Sequence, residues 1–126
     1  YYQKADVWPL DEEGELLAII QIETPERVEN IDSIISVPGI GAVFIGPSDL
    51  SAAMGYATAN YPKVEIAIQT VLEACIENDV TCAITTSALT VEKRLAEGFT
   101  MVTVGTDSGL PYRAAETLKS ARGVHN

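Results

Sequence analysis

Short apolar runs alternate along the chain with longer amphipathic stretches, and this alternation constrains the fold more than any other feature of the sequence. Four runs rich in Val, Ile, Leu and Ala predict β-strands at residues 16–22, 42–46, 80–85 and 100–105. Strands that alternate with helices in this way are typical of a parallel sheet with crossover helices. The sequence therefore predicts an α/β fold.

The amphipathic stretches carry helix start and stop signals. Thr24 and Pro25 suit the N-cap and first position of a helix whose apolar stripe extends to Ile35. Gly98 ends a helix that begins after Thr90. The first predicted helix follows Thr24, and a short helical turn is predicted from 49 to about 55. Three further helices are predicted at 62–78, 91–97 and 110–121.

The whole chain, residues 1–126, reads as part of one domain. Within residues 1–15, residues 1–6 predict the end of an entering helix and residues 8–14, beginning at Trp8, predict an acidic surface loop. Residues 16–121 predict the βα units, and residues 122–126 a polar tail. Because Tyr1 stands where an initiator Met is expected, we expect the chain to be a piece of a longer protein.

Charge and cysteine usage exclude several classes of partner. Eighteen acidic against eight basic side chains give a net charge of −10, which repels nucleic acid and anionic membrane surfaces. No apolar run approaches the roughly 20 residues of a membrane span. Cys75 and Cys82 have neither CxxC nor zinc-ligand spacing, so we expect two reduced core thiols in a cytoplasmic protein.

Polar residues follow two of the predicted strands, at the point where each strand ends. Gln21 and Glu23 end the first apolar run, and Gly46, Ser48 and Asp49 follow the second. The carboxyl ends of parallel strands lie at one edge of a sheet, where loops carry function. Taken alone, Asp49 is better explained as a helix N-cap, and Glu23 is ambiguous because a carboxylate at a strand end is often simply solvated.

Taken together, these residues predict a site for a divalent cation and a small acid. Two carboxylates with no thiol or histidine nearby suit a hard ion such as Mg²⁺ or Mn²⁺. The amides of Ser48 and Asp49, at a helix start, attract a carboxylate. A 2-oxo acid would complete the coordination, and the metal would stabilise the enolate formed on C–C cleavage.

Several segments resemble the HpcH/HpaI class II pyruvate aldolases. They are QIET at 21–24, ENID at 29–32, VPGIGAVFIGPSDLSAAMG at 37–55 and, more weakly, AEGFTMVTVGTD at 96–107. The resemblance implies the C-terminal half of a (β/α)8 TIM barrel. It also implies that Glu23 and Asp49 bind the metal, that Gln21 contacts substrate, and that the backbone of Gly46, Ser48 and Asp49 receives the pyruvate carboxylate.

The function implied by this resemblance is that of a metal-dependent aldolase. Such a lyase cleaves 4-hydroxy-2-oxo acids to pyruvate and an aldehyde with Mg²⁺, Mn²⁺ or Co²⁺, and relatives form homo-oligomers, commonly hexamers. The histidine base and substrate-binding arginine of the family come from the other half of the barrel. We interpret His125 as a residue of the solvated tail, and Arg27 and Arg94 as surface cations.

Two other functions fit the same residues. Oxaloacetate decarboxylation passes through the same enolate, and a catalytically incomplete half-barrel would only bind a small acid or assemble with a partner. A half-barrel exposes two sheet edges and an apolar inner face that includes Leu17, Ile19 and Phe44. We therefore expect this chain to associate with another segment or with further copies.

Overall fold

The computed structural model describes residues 7–14, 16–107 and 109–121. Its strands and helices alternate along most of this length, as the apolar pattern predicts. The strands are β1 (Val7–Trp8), β2 (Leu16–Leu17), β3 (Ile19–Ile22), β4 (Ala42–Ile45), β5 (Thr81–Thr86) and β6 (Met101–Val104). The helices are α1 (Pro25–Glu29), α2 (Ile31–Ile35), α3 (Pro47–Ala53), α4 (Pro62–Glu77), α5 (Val91–Glu97) and α6 (Gly109–Ala121).

The main sheet has four parallel strands in the order β3-β4-β5-β6. Its register aligns Ile22 with Ile45 and Thr86 with Val104, so the carboxyl ends of the strands lie along one edge. Each of β3, β4 and β5 is followed by at least one helix before the next strand begins, and α6 follows β6. The predicted α/β fold with a parallel sheet is confirmed.

The hydrophobic core lies between one face of this sheet and the helices, chiefly α4. Strand residues such as Ile22, Ile45 and Ile84 are fully buried. The apolar stripe of α4 packs into the same cluster and consists of Val64, Ile68, Val71, Leu72 and Cys75. Cys75 and Cys82 are both buried and free, as predicted.

The opposite face of the sheet is largely uncovered by the described residues. The exposed fractions are 44% for Leu17 and 42% for Ile19, whereas Phe44 is half-buried. Ile19 pairs with Ala42 in the register, and Phe44 lies two residues farther along β4, so Ile19 and Phe44 share a face that the α4 core does not cover. Leu17 lies on β2, directly before this strand. None of the described helices is both long and apolar enough to cross a lipid bilayer.

Three local features differ from the sequence prediction. The first predicted strand is two strands, β2 and β3, separated at Ala18, whose carbonyl accepts hydrogen bonds from Gly41 N and Ala42 N. The first predicted helix is two helices that meet at Asn30. Trp8 lies in a strand parallel to β2 and not in a loop. The predicted entering helix at 1–6 and the tail at 122–126 lie outside the described residues.

Candidate active site

Glu23 is the first residue after β3, and the local sequence fixes how the chain leaves the sheet there. Thr24 has extended backbone and caps α1, its hydroxyl accepting a hydrogen bond from Arg27 N at 3.4 Å. Pro25 provides the first helical position. The Arg27 guanidinium is exposed, as predicted, and donates back to the Gln21 carbonyl at 3.1 Å. The Glu23 side chain is thus held at the carboxyl edge of the sheet.

Gly46 is where the two predicted metal carboxylates come together. It follows β4, is buried, and is the N-cap of α3 with a φ of −100°, a conformation open to any L-residue. A Cβ at this position would lie 2.9 Å from Glu23 Oε1 and 3.4 Å from Asp49 Oδ2. A side chain at this position would therefore displace the Glu23 carboxylate, although the backbone conformation itself would allow one.

These contacts limit the separation of the two carboxylates. Because both oxygens lie near one point, Glu23 Oε1 and Asp49 Oδ2 can be no farther apart than the two distances combined, about 6.3 Å. Asp49 is the third residue of α3, so the alternative that it serves as N-cap is wrong. Neither carboxylate has an ion-pair or hydrogen-bond partner within the described part of the chain.

The first turn of α3 adds backbone donors beside the carboxylates. The first intrahelical bond runs from Leu50 N to Gly46 O at 2.9 Å, and no side chain caps the helix. The amides of Ser48 and Asp49 precede that bond and have no carbonyl of their own helix to pair with. The Ser48 and Asp49 side chains are exposed. Two donors are thus available to an anion at this edge.

Gln21 lies two residues before Glu23 on β3, opposite Phe44 in the register. It is exposed, whereas its neighbour Ile22 is fully buried against the helices. Alternation along the strand places Gln21 on the same face of the sheet as Glu23. The five residues predicted for the site therefore belong to two adjacent strand ends.

The acidic ligands available at this edge are a pair. Within residues 7–14, 16–107 and 109–121, no group of three or more His, Cys, Asp or Glu side chains is close enough to share a metal ion. Mg²⁺ is commonly held by one or two carboxylates, with water and substrate completing its shell. The donor set of Glu23 and Asp49 fits such an ion. His125 lies outside the described residues, so its place in the tail stays a prediction.

Arg94 is not the surface cation that its helical position predicts. Its side chain is 11% exposed and donates to both carboxylate oxygens of Glu65, at 2.7 Å each, and to Glu97 Oε2 at 2.9 Å. The hydrogen bond from Arg94 is the main cause that lowers the pKa of Glu65 to about 2. The spacing of Arg94 and Glu97 is visible in the sequence, but Glu65 is 29 residues away.

Known proteins resemble the chain in sequence over nearly its whole length. Residues 5–114 match the model of the HpcH/HpaI aldolase/citrate lyase family. The 4-hydroxy-2-oxo-heptane-1,7-dioate aldolase of Escherichia coli is 38% identical over 126 residues, which cover 98% of this chain and 45% of the enzyme. The chain thus spans less than half the length of this curated relative.

Solved structures give the same result for the fold. An HpcH/HpaI aldolase/citrate lyase family protein from Burkholderia cenocepacia superposes with a TM-score of 0.83 at 27% identity, over 90% of this chain and 45% of that one. An HpcH/HpaI aldolase from Desulfitobacterium hafniense gives 0.79 at 28% identity, over 94% and 48%. The four-stranded sheet and its helices are thus a portion of a (β/α)8 barrel.

Proposed function

Because the chain belongs to the HpcH/HpaI aldolase/citrate lyase family, we propose that it forms part of a metal-dependent aldolase. The proposed reaction is the reversible cleavage of 4-hydroxy-2-oxo acids to pyruvate and an aldehyde. The observation that carries this proposal is the convergence of the Glu23 and Asp49 carboxylates on Gly46, with no partner for either among the residues that the structure describes. A divalent cation bound between the two carboxylates would offset the repulsion of their negative charges.

Glu23 and Asp49 are the proposed ligands of a divalent metal ion, Mg²⁺ or Mn²⁺, with Co²⁺ as an alternative. Oxygen donors and the absence of thiol or imidazole from the pair favour these ions. When bound, such an ion supplies Lewis acidity that offsets negative charge developing on the 2-oxo oxygen. Gly46 contributes by leaving space for Glu23 Oε1.

The proposed role of the α3 start is to bind the substrate carboxylate. The Ser48 and Asp49 amides are free of helical hydrogen bonds and lie beside the metal ligands. A carboxylate there gains charge-assisted hydrogen bonds. Gln21, exposed on the same face as Glu23, is proposed to contact the substrate from β3.

Bond cleavage also requires a base for the C4 hydroxyl. Loss of that proton turns C4 into the aldehyde carbon as the C3–C4 bond breaks, and C3 retains the electron pair until it is protonated to the methyl group of pyruvate. Among the described residues no histidine lies near Glu23 and Asp49. We propose that the base and a substrate-binding arginine come from the remaining strands of the barrel.

The proposed partners are therefore small acids and other protein segments. Pyruvate and 4-hydroxy-2-oxo acids are the proposed ligands, and a net charge of −10 disfavours nucleic acid and anionic membranes. The exposed face with Leu17 and Ile19 supports association with further barrel strands and with other copies in a homo-oligomer, for which a hexamer is our proposal. We also propose a cytoplasmic location, because Cys75 and Cys82 are free, buried thiols of the kind that a reducing compartment maintains.

The test is pyruvate release from 4-hydroxy-2-oxo acids by the intact protein, before and after EDTA and after Mg²⁺ or Mn²⁺ is added back. We expect activity to vanish with EDTA, to return with the metal, and to be abolished in Glu23→Gln. Glu26→Gln removes an exposed carboxylate from α1 only three residues away and is the matched control, which should retain full activity. Turnover indifferent to EDTA would remove the metal from the proposal.

A further inference from the structure

The two cysteines of the chain lie at the end of the sheet opposite the candidate active site. Cys75 is near the end of α4 and Cys82 near the start of β5, and both belong to the core cluster between the helices and the sheet. Glu23 and Asp49, in contrast, follow the carboxyl ends of β3 and β4. The thiol pair is therefore separate from the proposed metal site and has no role in the proposed reaction.

The connection between α4 and β5 brings the two thiols together. Asp79 has a left-handed backbone conformation at φ +55°, and Val80 N donates to the Cys75 carbonyl at 2.9 Å, which closes a tight turn after the helix. Strand β5 then packs against α4, and the Cys82 carbonyl accepts a hydrogen bond from Thr100 N at 3.2 Å. With both backbones held in this way, the Cys75 and Cys82 side chains form a hydrogen bond with each other.

This hydrogen bond makes the two thiols chemically unequal. It is the main cause that lowers the pKa of Cys75 and the main cause that raises the pKa of Cys82, where burial adds to the increase. The thiolate is the reactive form of cysteine, so Cys75 is the nucleophile of the pair and Cys82 keeps its proton. Both cysteines are free. A reactive thiol beside a second thiol is the arrangement used by redox-sensing cysteines.

A cavity of about 230 Å³ at the amino ends of β5 and β6 gives a small solute access to both thiols. Cys75 and Cys82 line it together with Asp79, Gly98 and Thr100, which are exposed. Its volume is several times the roughly 30 Å³ that one water molecule occupies in the liquid. Because Cys75 is fully buried and Cys82 only 3% exposed, the cavity admits a peroxide but no bulky disulfide to the sulfur atoms.

We propose that Cys75 and Cys82 form a reversible oxidation site for hydrogen peroxide, in which Cys75 is the reactive thiol and Cys82 the resolving thiol. The Cys75 thiolate attacks one peroxide oxygen, the O–O bond breaks, and the hydroxide that leaves is protonated to water while Cys75 becomes a sulfenic acid. The Cys82 sulfur then attacks the sulfenic sulfur, the S–O bond breaks, and the departing hydroxide takes the Cys82 proton as a second water. Two thiols thus lose two electrons, and the peroxide is reduced to water.

The resolving thiol makes the oxidation of Cys75 reversible. A sulfenic acid with no thiol beside it is oxidised further to a sulfinic acid, which ordinary dithiols do not reduce, whereas a disulfide is returned to two thiols. Disulfides of intracellular proteins are commonly transient and redox-sensing in this way. The inference does not rest on the proposed function, because it requires neither the metal ion nor the substrate.

The test treats the intact protein with hydrogen peroxide, blocks the remaining thiols with N-ethylmaleimide and maps the peptides by mass spectrometry. We expect a Cys75–Cys82 disulfide, seen as a loss of about 2 Da, and its return to two thiols with dithiothreitol. In Cys82→Ser, which keeps a hydroxyl beside Cys75, dimedone should trap Cys75 as the sulfenic acid, and without dimedone the sulfinic acid should accumulate. The Cys82 thiol in Cys75→Ser should be oxidised at least about tenfold more slowly than the Cys75 thiol in Cys82→Ser.

Concentrated urea provides the matched control for the role of the fold. The two variants should be oxidised at equal rates there, because unfolding removes the burial and the hydrogen bond that distinguish the thiols. Wild-type protein that keeps both thiols free, in a solution where the same peroxide oxidises added cysteine, would overturn the inference. So would equal rates of oxidation in the two folded variants, or wild-type protein with sulfinic acid at Cys75 and no bond to Cys82.

Discussion

Gly46 is the residue whose replacement probes the candidate site with the least other disturbance. Its φ of −100° suits alanine, so Gly46→Ala should fold. The added methyl group would stand 2.9 Å from Glu23 Oε1 and must displace that carboxylate. We expect Mn²⁺ affinity to fall by at least about tenfold, measured by titration calorimetry, while the melting temperature changes little.

A second substitution tests the reason for that loss. Glu23→Asp shortens the side chain by one methylene and relieves the contact with the new methyl group. Part of the Mn²⁺ affinity lost in Gly46→Ala should therefore return in the double variant. Unchanged affinity in Gly46→Ala alone would show that the close approach of Glu23 to Gly46 has no part in metal binding.

Glu65 provides a second prediction for a single residue, on how the stability of the fold depends on pH. Its pKa is lowered from 4.5 to about 2, first by the hydrogen bond from Arg94, so its ionised form is favoured in the folded state. The resulting stabilisation is complete above about pH 4.5 and is lost as the pH falls toward 2. Glu65→Gln should cost about 1.5 kcal/mol of unfolding free energy at pH 7, a modest value because Glu65 is one-third exposed.

Urea unfolding of wild type and Glu65→Gln between pH 7 and pH 2.5 measures this effect. The two unfolding free energies should converge as the pH falls. Glu116→Gln removes an ion pair with Lys119 in which both side chains are at least half exposed, and it should change nothing at any pH. A constant difference between wild type and Glu65→Gln across the pH range would contradict the assigned coupling to Arg94.

The positions of some individual residues could be predicted from the sequence, and those of others could not. Glu23 and Asp49 could be assigned to one sheet edge because parallel strand ends share an edge and the motif residues stand directly after strands. Arg94 could not be placed, since its partner Glu65 is distant in sequence and only packing of α5 against the start of α4 brings them together. Long-range ion pairs leave no local pattern.

At the scale of elements, α4 illustrates how strongly a long apolar stripe determines structure. The predicted helix at 62–78 is observed as Pro62–Glu77, and every residue of the apolar stripe described above for α4 is buried. Sixteen residues provide enough turns for the period to be unambiguous. The helix 91–97, bounded by Thr90 and a left-handed Gly98 at φ +116°, is observed with the predicted bounds.

The bounds of the short elements were harder to predict, because they depend on the conformation and hydrogen bonds of single residues. Asn30 interrupts the first helix, because its backbone leaves the helical conformation at φ −100° and ψ 15°, while its side-chain amide donates to the Glu26 carbonyl at 2.8 Å. The apolar stripe continues through Ile31 and Ile35 without showing this break. Likewise, β1 and β2 pair over only two residues each, too few to produce a periodic pattern.

The dependence of the fold on α4 predicts a large effect of one core truncation. Ile68 is fully buried, and Ile68→Ala should cost about 2–5 kcal/mol of unfolding free energy because a cavity remains. Ile66→Ala, two residues away and 64% exposed, removes the same atoms and should cost less than about 0.5 kcal/mol. Equal losses in the two variants, measured by urea unfolding, would contradict the packing of α4 on the sheet.

For the whole molecule, the uncovered sheet face predicts self-association of this chain when it is expressed alone. Leu17 and Ile19 are each more than 40% exposed, and β3 and β6 end the described four-stranded sheet without a further strand. Such edges and apolar faces favour pairing with other chains. Sedimentation velocity should show a mass that rises with concentration between about 1 and 100 μM.

Ile19→Lys should weaken this association, since it places a charge on the uncovered face. Ile66→Lys, at an exposed position of α4, is the matched control and should not weaken it. A stable monomer at 100 μM with no binding of an apolar dye would show that the face is covered in solution.

The central claim is that Glu23 and Asp49 share one divalent ion, and direct Mn²⁺ titration of the intact protein, followed by electron paramagnetic resonance, tests it most directly. The account predicts one Mn²⁺ per subunit, displaced by Mg²⁺, with affinity at least about 100-fold weaker in Glu23→Gln and in Asp49→Asn but unchanged in Glu26→Gln. Wild-type protein that binds no Mn²⁺, or full Mn²⁺ affinity in Asp49→Asn, would contradict it.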